Sequence, residues 1–234
     1  MFDIEVYAAK FYNDRPLQNV CNYPEWLYPI QAGAALTEKR VADILDNSGE
    51  NISYKNVNYC ELTVLYWIWK NCLNKDKTSE KYYGLFHYRR WLNLSDTDME
   101  KISKNNIDVI LPFPTVHEPD IREHHARYIE KQDWNAVFCA LKELAPQYFK
   151  AYNEIFSQKY MYNYNILIAK TEVLKKYCEW LFPILRQVEE VSVPKGSERA
   201  DRYIGYIGEN LLTLYFMYHS KDFKIIHTGR IMLT

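Results

Sequence analysis

Between residues 58 and 71, Leu62, Leu65, Tyr66 and Trp69 fall on one helical face while Val64, Trp67 and Ile68 cover most of the rest. That pattern predicts a helix buried on several sides. Asn58 with Glu61 three residues on reads as an Asn variant of the capping box, which assigns Glu61 to the helix start rather than to chemistry. Further along, Asp133 is expected to cap a helix carrying Trp134, Val137, Phe138, Leu141 and Leu144 up to Pro146, and Tyr148, Tyr152, Ile155 and Phe156 suggest another. Thr171 is expected to cap a long amphipathic helix built on Leu174, Tyr177, Leu181, Leu185 and Val188. Two more helices are expected, one running into Glu130 and one ending about Tyr218.

Short apolar runs bounded by turn residues predict strands at 4–9, 28–35, 82–87, 107–111, 165–169 and 223–227. Residues 46–56 carry turn chemistry, and 191–200, with Pro194 and Gly196, read as a mobile loop. Strands and helices alternate, with more helix in the second half, so the expected fold class is a single α/β domain over residues 1–234.

Composition narrows the function. Of 234 residues, 29 are Lys or Arg and 30 are Asp or Glu, so no excess of positive charge exists to hold a nucleic acid. The 21 Tyr, 10 Phe and 6 Trp serve a core first and a sugar or base pocket second. Five cysteines without CxxC or zinc spacing fit a reducing compartment, the start of the chain lacks the pattern of a signal peptide, and no apolar run approaches the ~20 residues that span a bilayer. The expected location is therefore the cytoplasm. With 7 Gly and no GxGxxG, Walker loop, GxSxG or HExxH, the common phosphate-loop, dinucleotide, serine-hydrolase and zinc-protease classes are disfavoured.

Several polar residues remain as candidates. The strand at 82–87 runs into His87, Tyr88, Arg89 and Arg90, and adjacent arginines at a strand end suit a phosphate or carboxylate, the alternative being a solvated loop. Lys55 and Asn56 end a turn-rich loop near a helix start and could add to an anion site. Arg202, Tyr206, Glu209 and Thr213 form a polar stripe that faces either water or a cleft; a cleft makes Glu209 a candidate general base. His117, Asp120, His124 and His125 match no defined ligand spacing, so a solvated loop is favoured over a metal site.

Taken in order, Tyr28-Pro-Ile-Gln-Ala-Gly-Ala-Ala35, Asn51-Ile-Ser-Tyr-Lys-Asn56, Tyr59-Cys-Glu-Leu-Thr63, Tyr66-Trp-Ile-Trp-Lys-Asn71 and Gly84-Leu-Phe-His-Tyr-Arg-Arg90 resemble the blocks of a bacterial family. It was first catalogued as a domain of unknown function and is found among capsular and exopolysaccharide glycosyltransferases. The likeness continues more loosely through 165–168, 177–182 and 202–212. It implies a GT-A-like fold and transfer of a sugar from a nucleotide-sugar donor, UDP-linked and with UDP-galactofuranose one candidate, to a growing capsular, exopolysaccharide or O-antigen glycan.

On that resemblance, residues 1–112 are the donor-nucleotide part and 113–234 the acceptor part. Lys10, Lys55, Asn56, His87, Tyr88, Arg89, Arg90 and Arg230 are expected at the donor. Lys10 ends a first strand where the family has a His-Lys pair. His124, Arg202 and Tyr206 are expected at the acceptor, with Glu209 and then Asp120 as the catalytic carboxylate. The strand end lacks the Asp-x-Asp that binds manganese or magnesium in many GT-A enzymes, so no cofactor is expected, with a divalent manganese or magnesium ion kept as the alternative. A lipid-linked acceptor implies peripheral contact with the inner membrane face; the oligomeric state is left open. Two other classes compete: a non-catalytic sugar- or nucleotide-binding subunit, and a nucleotide-sugar hydrolase that needs no acceptor.

Overall fold

Along β1 (Ile4–Phe11), Ile4, Val6 and Ala8 pack into one core cluster and Tyr7 and Ala9 into another. A strand buried on both faces belongs at the centre of a sheet covered on both sides. The computed structural model, which describes residues 3–18, 23–75, 81–194 and 199–234, places it there. β1 lies parallel between β2 (Leu27–Ala32) and β4 (Tyr82–His87), and β2 in turn pairs with the two-residue β3 (Ile44–Leu45). Beyond β4 the sheet turns mixed. β9 (Leu167–Lys170) runs antiparallel between β4 and β6 (Val109–Pro112), and β10 (Ile225–Thr228) lies parallel to β6 at the edge.

One face of the sheet is covered by α3 (Asp96–Lys104), through Met99 and Ile102, and by Trp26, whose Nε1 donates to Asp96 at 2.8 Å. The other carries the larger core, built from α2 (Leu62–Ile68), α5 (Lys131–Leu144), α6 (Pro146–Phe156), α7 (Thr171–Val191) and α8 (Tyr203–Tyr218). Among the described residues no helix is long and apolar enough to cross a membrane.

The expected helix over 58–71 is in fact broken. Residues 56–59 form α1 (Asn56–Tyr59), Cys60 takes φ 52 and ψ −133, and Glu61 opens α2, which continues through a π-helical turn at Trp69–Leu73. Asn58 therefore lies inside α1, buried, with its Nδ2 donating to the Arg199 carbonyl at 2.6 Å, and Glu61 makes no capping bond. Asp133 and Thr171 are not caps either; Glu130 and Lys170 hold those positions. Asp133 is fully buried and takes a two-pronged grip from Arg199 at 2.8 Å on each oxygen, and the Thr171 hydroxyl donates to the Lys81 carbonyl at 2.9 Å.

The helix running toward Glu130 is only the short α4 (Ile121–His125). Elements with no counterpart among the expectations are β3, α3, β5 (Arg90–Leu92), β11 (Arg230–Met232) and a small ribbon of β7 (Thr115–Val116) with β8 (Tyr160–Met161). Cys21, and residues 195–198 of the expected mobile loop, lie outside the described residues.

Candidate functional site

The carboxyl ends of β1, β2 and β4 open into a cleft of about 490 Å³. Here the chain leaves β1 toward β2 on one side while β4 extends the sheet on the other, which is where open α/β sheets bind ligands. Ala9 and Phe11 from β1, Ala32 at the end of β2 and His87 from β4 form its floor; Arg202 at the N-cap of α8, with Tyr206 and Glu209 from the helix itself, closes it. The turn after β4 supplies Tyr88, Arg89 and Arg90. Both arginines are half-buried, neither forms an ion pair among the described residues, and the Nε of each is buried without a partner. The Arg90 guanidinium lies 4.5 Å over the Tyr164 ring and that of Arg89 5.7 Å over Tyr88. Two cations shielded from water with unsatisfied donors make a cleft that asks for an anion.

Beside the arginines sits a buried Glu61–His87 pair. His87 Nε2 lies 3.4 Å from Glu61 Oε1 and 2.7 Å from the Tyr164 carbonyl, and Asn165 Nδ2 donates to the same Glu61 oxygen at 2.7 Å. Burial alone would raise the Glu61 carboxyl, but the His87 charge and hydrogen bond, with Asn165, outweigh it and hold the group below its ordinary range. For His87 burial pulls down and Glu61 pulls up, and the ring ends above its usual value. Glu209 has no such partner. Burial first, and the Glu61 charge second, push its carboxyl up to about 7, against the Tyr164 backbone N–H, the His87 charge and Asn163. A carboxylate poised there suits proton abstraction near neutral pH.

Local backbone strain gathers here as well. Cys60, Tyr164, Asn165 and Arg202 are four of the five described non-glycine residues with positive φ, at 52, 73, 51 and 65°. Three line the cleft and the fourth holds Glu61, a concentration typical of functional sites. The Cys60 thiol accepts from Arg202 Nε at 3.1 Å, and burial, then Glu61, push it up to about 12, so it stays protonated.

A second cavity of about 320 Å³ adjoins the first and shares Tyr164, Tyr206 and Glu209 with it. Its walls include His124, packed against His117 with ring centroids 3.6 Å apart, and Asn163, which links His117 Nε2 (3.1 Å) to Glu209 (3.5 Å). Glu209 thus stands between an arginine-rimmed cleft and an aromatic, histidine-lined one.

Of the residues singled out in the sequence, Asn56, His87, Tyr88, Arg89, Arg90, Arg202, Tyr206 and Glu209 line the first cleft and His124 the second. Arg202, Tyr206 and Glu209 come from the second half of the chain, so the two halves do not divide the two cavities between them. Four residues are placed elsewhere. Lys10 lines a separate depression with Tyr28 and Arg40; Lys55 is ion-paired to Glu189, which also takes the Tyr59 hydroxyl at 2.9 Å. Asp120 caps α4 by accepting from the Glu123 N–H at 2.9 Å and pairs with Arg122 at 3.0 Å. Arg230 is exposed, donating to Thr115 Oγ1 at 3.1 Å with its guanidinium 5.2 Å from the centroid of the Tyr164 ring.

Conversely, Glu61, Asp14 and Asn163 line the cavities although the sequence did not mark them for a role there, and His117 and His125, weighed only as metal ligands, line the second. A charged residue inside an otherwise apolar helix was the one available signal for Glu61. Among the described residues no three His, Cys, Asp or Glu side chains cluster as a metal site, and β4 ends in basic residues without an acidic pair.

Comparison with known proteins agrees with this architecture. No curated protein matches the sequence. Among solved structures, the apo form of the bifunctional glycosyltransferase WbbM superposes with a TM-score of 0.83 at 24% identity, over 99% of this chain and 45% of that one. The chain thus spans less than half of that protein, and the likeness establishes a GT-A-like α/β fold. Residues 18–221 match the model of the family described as a domain of unknown function, DUF4422, and the chain belongs to that family.

Proposed function

We propose that the protein is a glycosyltransferase that moves a sugar from a UDP-linked donor onto a growing capsular, exopolysaccharide or O-antigen glycan. The observation that carries this reading is the meeting of two cavities at Glu209, one of them rimmed by the unpaired Arg89 and Arg90. The shared fold with a bifunctional glycosyltransferase supports it. UDP-galactofuranose is one candidate donor, and a lipid-linked glycan at the inner membrane face is the candidate acceptor.

In this reaction the donor diphosphate lies against Arg89 and Arg90. The acceptor hydroxyl attacks the anomeric carbon as the bond from that carbon to the phosphate oxygen breaks. Glu209 takes the hydroxyl proton, and UDP leaves with its new charge neutralised by the guanidiniums in a site sheltered from water. No step requires a metal. Attack from the side opposite the leaving group inverts the anomeric centre.

A Glu209 carboxyl raised to about 7 by burial, at the meeting of the two cavities, supports a catalytic role over a purely binding one. Calorimetric titration with UDP, in EDTA and again with manganese, tests the donor site. Binding in EDTA that Arg89→Ala or Arg90→Ala removes is the expected result. Absence of UDP binding in both conditions, or binding that needs manganese, would sink the metal-free donor site.

A further inference from the structure

His87 ends β4, and across a two-residue turn it pairs with Arg90, the first residue of β5. Residues paired directly in an antiparallel ladder project to the same face of the sheet. The Tyr164 ring agrees with that placement: the Arg90 guanidinium lies 4.5 Å over it, and the His87 ring meets it edge-on with centroids 6.3 Å apart. The imidazole thus stands beside a guanidinium whose Nε lacks a partner, and both side chains line the first cleft.

The two ring nitrogens of His87 are not equivalent. Nε2 lies 2.7 Å from the Tyr164 carbonyl, and a carbonyl oxygen only accepts, so Nε2 carries a hydrogen whatever the charge of the ring. The proton that the ring gains and loses is therefore on Nδ1. That nitrogen makes no hydrogen bond within the protein and is not sealed from solvent, and the side chain as a whole is 14% exposed. The cavity it lines is the arginine-rimmed one.

The surroundings favour a charged ring. Burial opposes the charge and Arg90 does too, but Glu61 at 3.4 Å outweighs both, with Glu209 adding to it, and the ring stays above its ordinary value. Asp14, from the turn after β1, is a further carboxylate in the field of this ring. A carbonyl and a carboxylate behind one nitrogen fix the imidazole and leave the other nitrogen to exchange a proton, which is how histidines serve as acids and bases. The neighbouring arginines cannot take that part, because a guanidinium keeps its protons at any physiological pH.

We propose that His87 is a catalytic acid: it holds Nδ1–H against the donor diphosphate beside Arg90 and passes that proton to the phosphate oxygen that leaves the sugar. This role rests on the transferase reading of the cleft. As the bond from the anomeric carbon to the phosphate oxygen breaks, its electron pair stays on that oxygen, and the oxygen takes the proton from Nδ1. The ring is left neutral, with Nε2–H still on the Tyr164 carbonyl. Glu209 holds the proton of the acceptor hydroxyl, so one proton has passed from acceptor to UDP once Glu209 and His87 re-equilibrate with water.

Nitrogen-15 NMR of the full chain, labelled at histidine and titrated with UDP, tests it. Nε2 of His87 is expected to keep its hydrogen across the titration while Nδ1 gains and loses one. UDP should raise the pH at which Nδ1 titrates by about one unit, because an anion at that nitrogen favours the charged ring. Titration at Nε2 instead, or a UDP complex in which the Nδ1 titration does not move, would overturn the proposal. His87→Gln keeps a donor for the Tyr164 carbonyl and removes the acid. It should weaken UDP binding less than about tenfold but lower kcat at least about a hundredfold. It should also abolish the loss of rate that the wild type shows at high pH, above the range where Glu209 ionises, once Nδ1 is bare. A variant with kcat within about threefold of wild type, or with that high-pH loss intact, would count equally against the acid. The donor reading fails in a different way: absence of UDP binding by the wild type removes both, whereas UDP binding that Arg90→Ala abolishes, with an unmoved Nδ1, removes this proposal alone.

Discussion

Glu209 owes its high pKa to burial before anything else, but the second contribution is the Glu61 charge, and His87 works weakly in the opposite direction. As a base it acts only when ionised, so kcat/KM is expected to rise with pH through about 7 and level off above. Glu61→Gln removes the larger charge influence on Glu209; even if His87 then loses its proton, the net change lowers the Glu209 pKa, so the acidic limb should move to lower pH. A pH–rate profile decides it, and a limb that stays in place or moves up would separate Glu209 from the proton transfer. Glu209→Gln should lose roughly 10²–10⁴-fold in turnover. The stripe holding Glu209 was legible because its spacing set polar residues apart on an apolar helix. Glu61 was not, because the spacing from Asn58 to Glu61 mimics a helix start, and only the Cys60 backbone, at φ 52, shows that the helix restarts and turns this carboxylate toward His87.

Among the elements, the loop after β2 depends on a single buried acid. Asp46 takes hydrogen bonds from the Gly33 N–H at 2.8 Å, the Ala34 N–H at 3.0 Å and the Thr63 hydroxyl at 2.7 Å, and one from the Ser53 hydroxyl. It ties the end of β2, the end of β3 and α2 together beneath the cleft. Gly33 sits at φ 64 with the Asn56 side chain 2.9 Å from where a Cβ would project, so the turn has no room to adjust. Asp46→Ala strands these donors and should cost about 3 kcal/mol or more. For a chain of this size that lowers the melting midpoint by roughly 6–12 °C, readable by calorimetry; a shift under 2 °C would show that water replaces the carboxylate. Nothing in the turn-rich segment 46–56 announced this role, since the partners of Asp46 lie 7 to 17 residues away. The missed α3 is a different case. Its Ser95 and Asp98 form a complete capping box, a signal present in the sequence, but only Met99 and Ile102 are buried, too few to show a period.

At the scale of the molecule, the alternation of strands and helices predicted the α/β class, while the parallel centre and the strand order across the antiparallel β9 depended on contacts far apart in sequence. The C-terminal strand shows what that distance conceals. β5, which carries Arg90, meets β4 at one pair, His87 with Arg90, yet pairs with β11 over three: Leu92 with Arg230, Trp91 with Ile231, and Arg90 with Met232. The Leu233 N–H also donates to the Arg89 carbonyl at 2.9 Å. The two arginines proposed to hold the diphosphate are thus fixed from the last residues of the chain more than from the strand they follow. Arg230, Ile231 and Met232 are themselves exposed, so β11 adds little apolar burial to the core. A chain ending at Gly229 should keep most of its thermal stability, melting above Asp46→Ala, but bind UDP at least tenfold more weakly, about 1.4 kcal/mol. Unchanged UDP affinity in the shortened chain would mean that the Arg89–Arg90 turn holds its shape without β11, or that the donor phosphates lie elsewhere; Arg90→Ala in the same background separates the two, because it weakens UDP binding only in the first case.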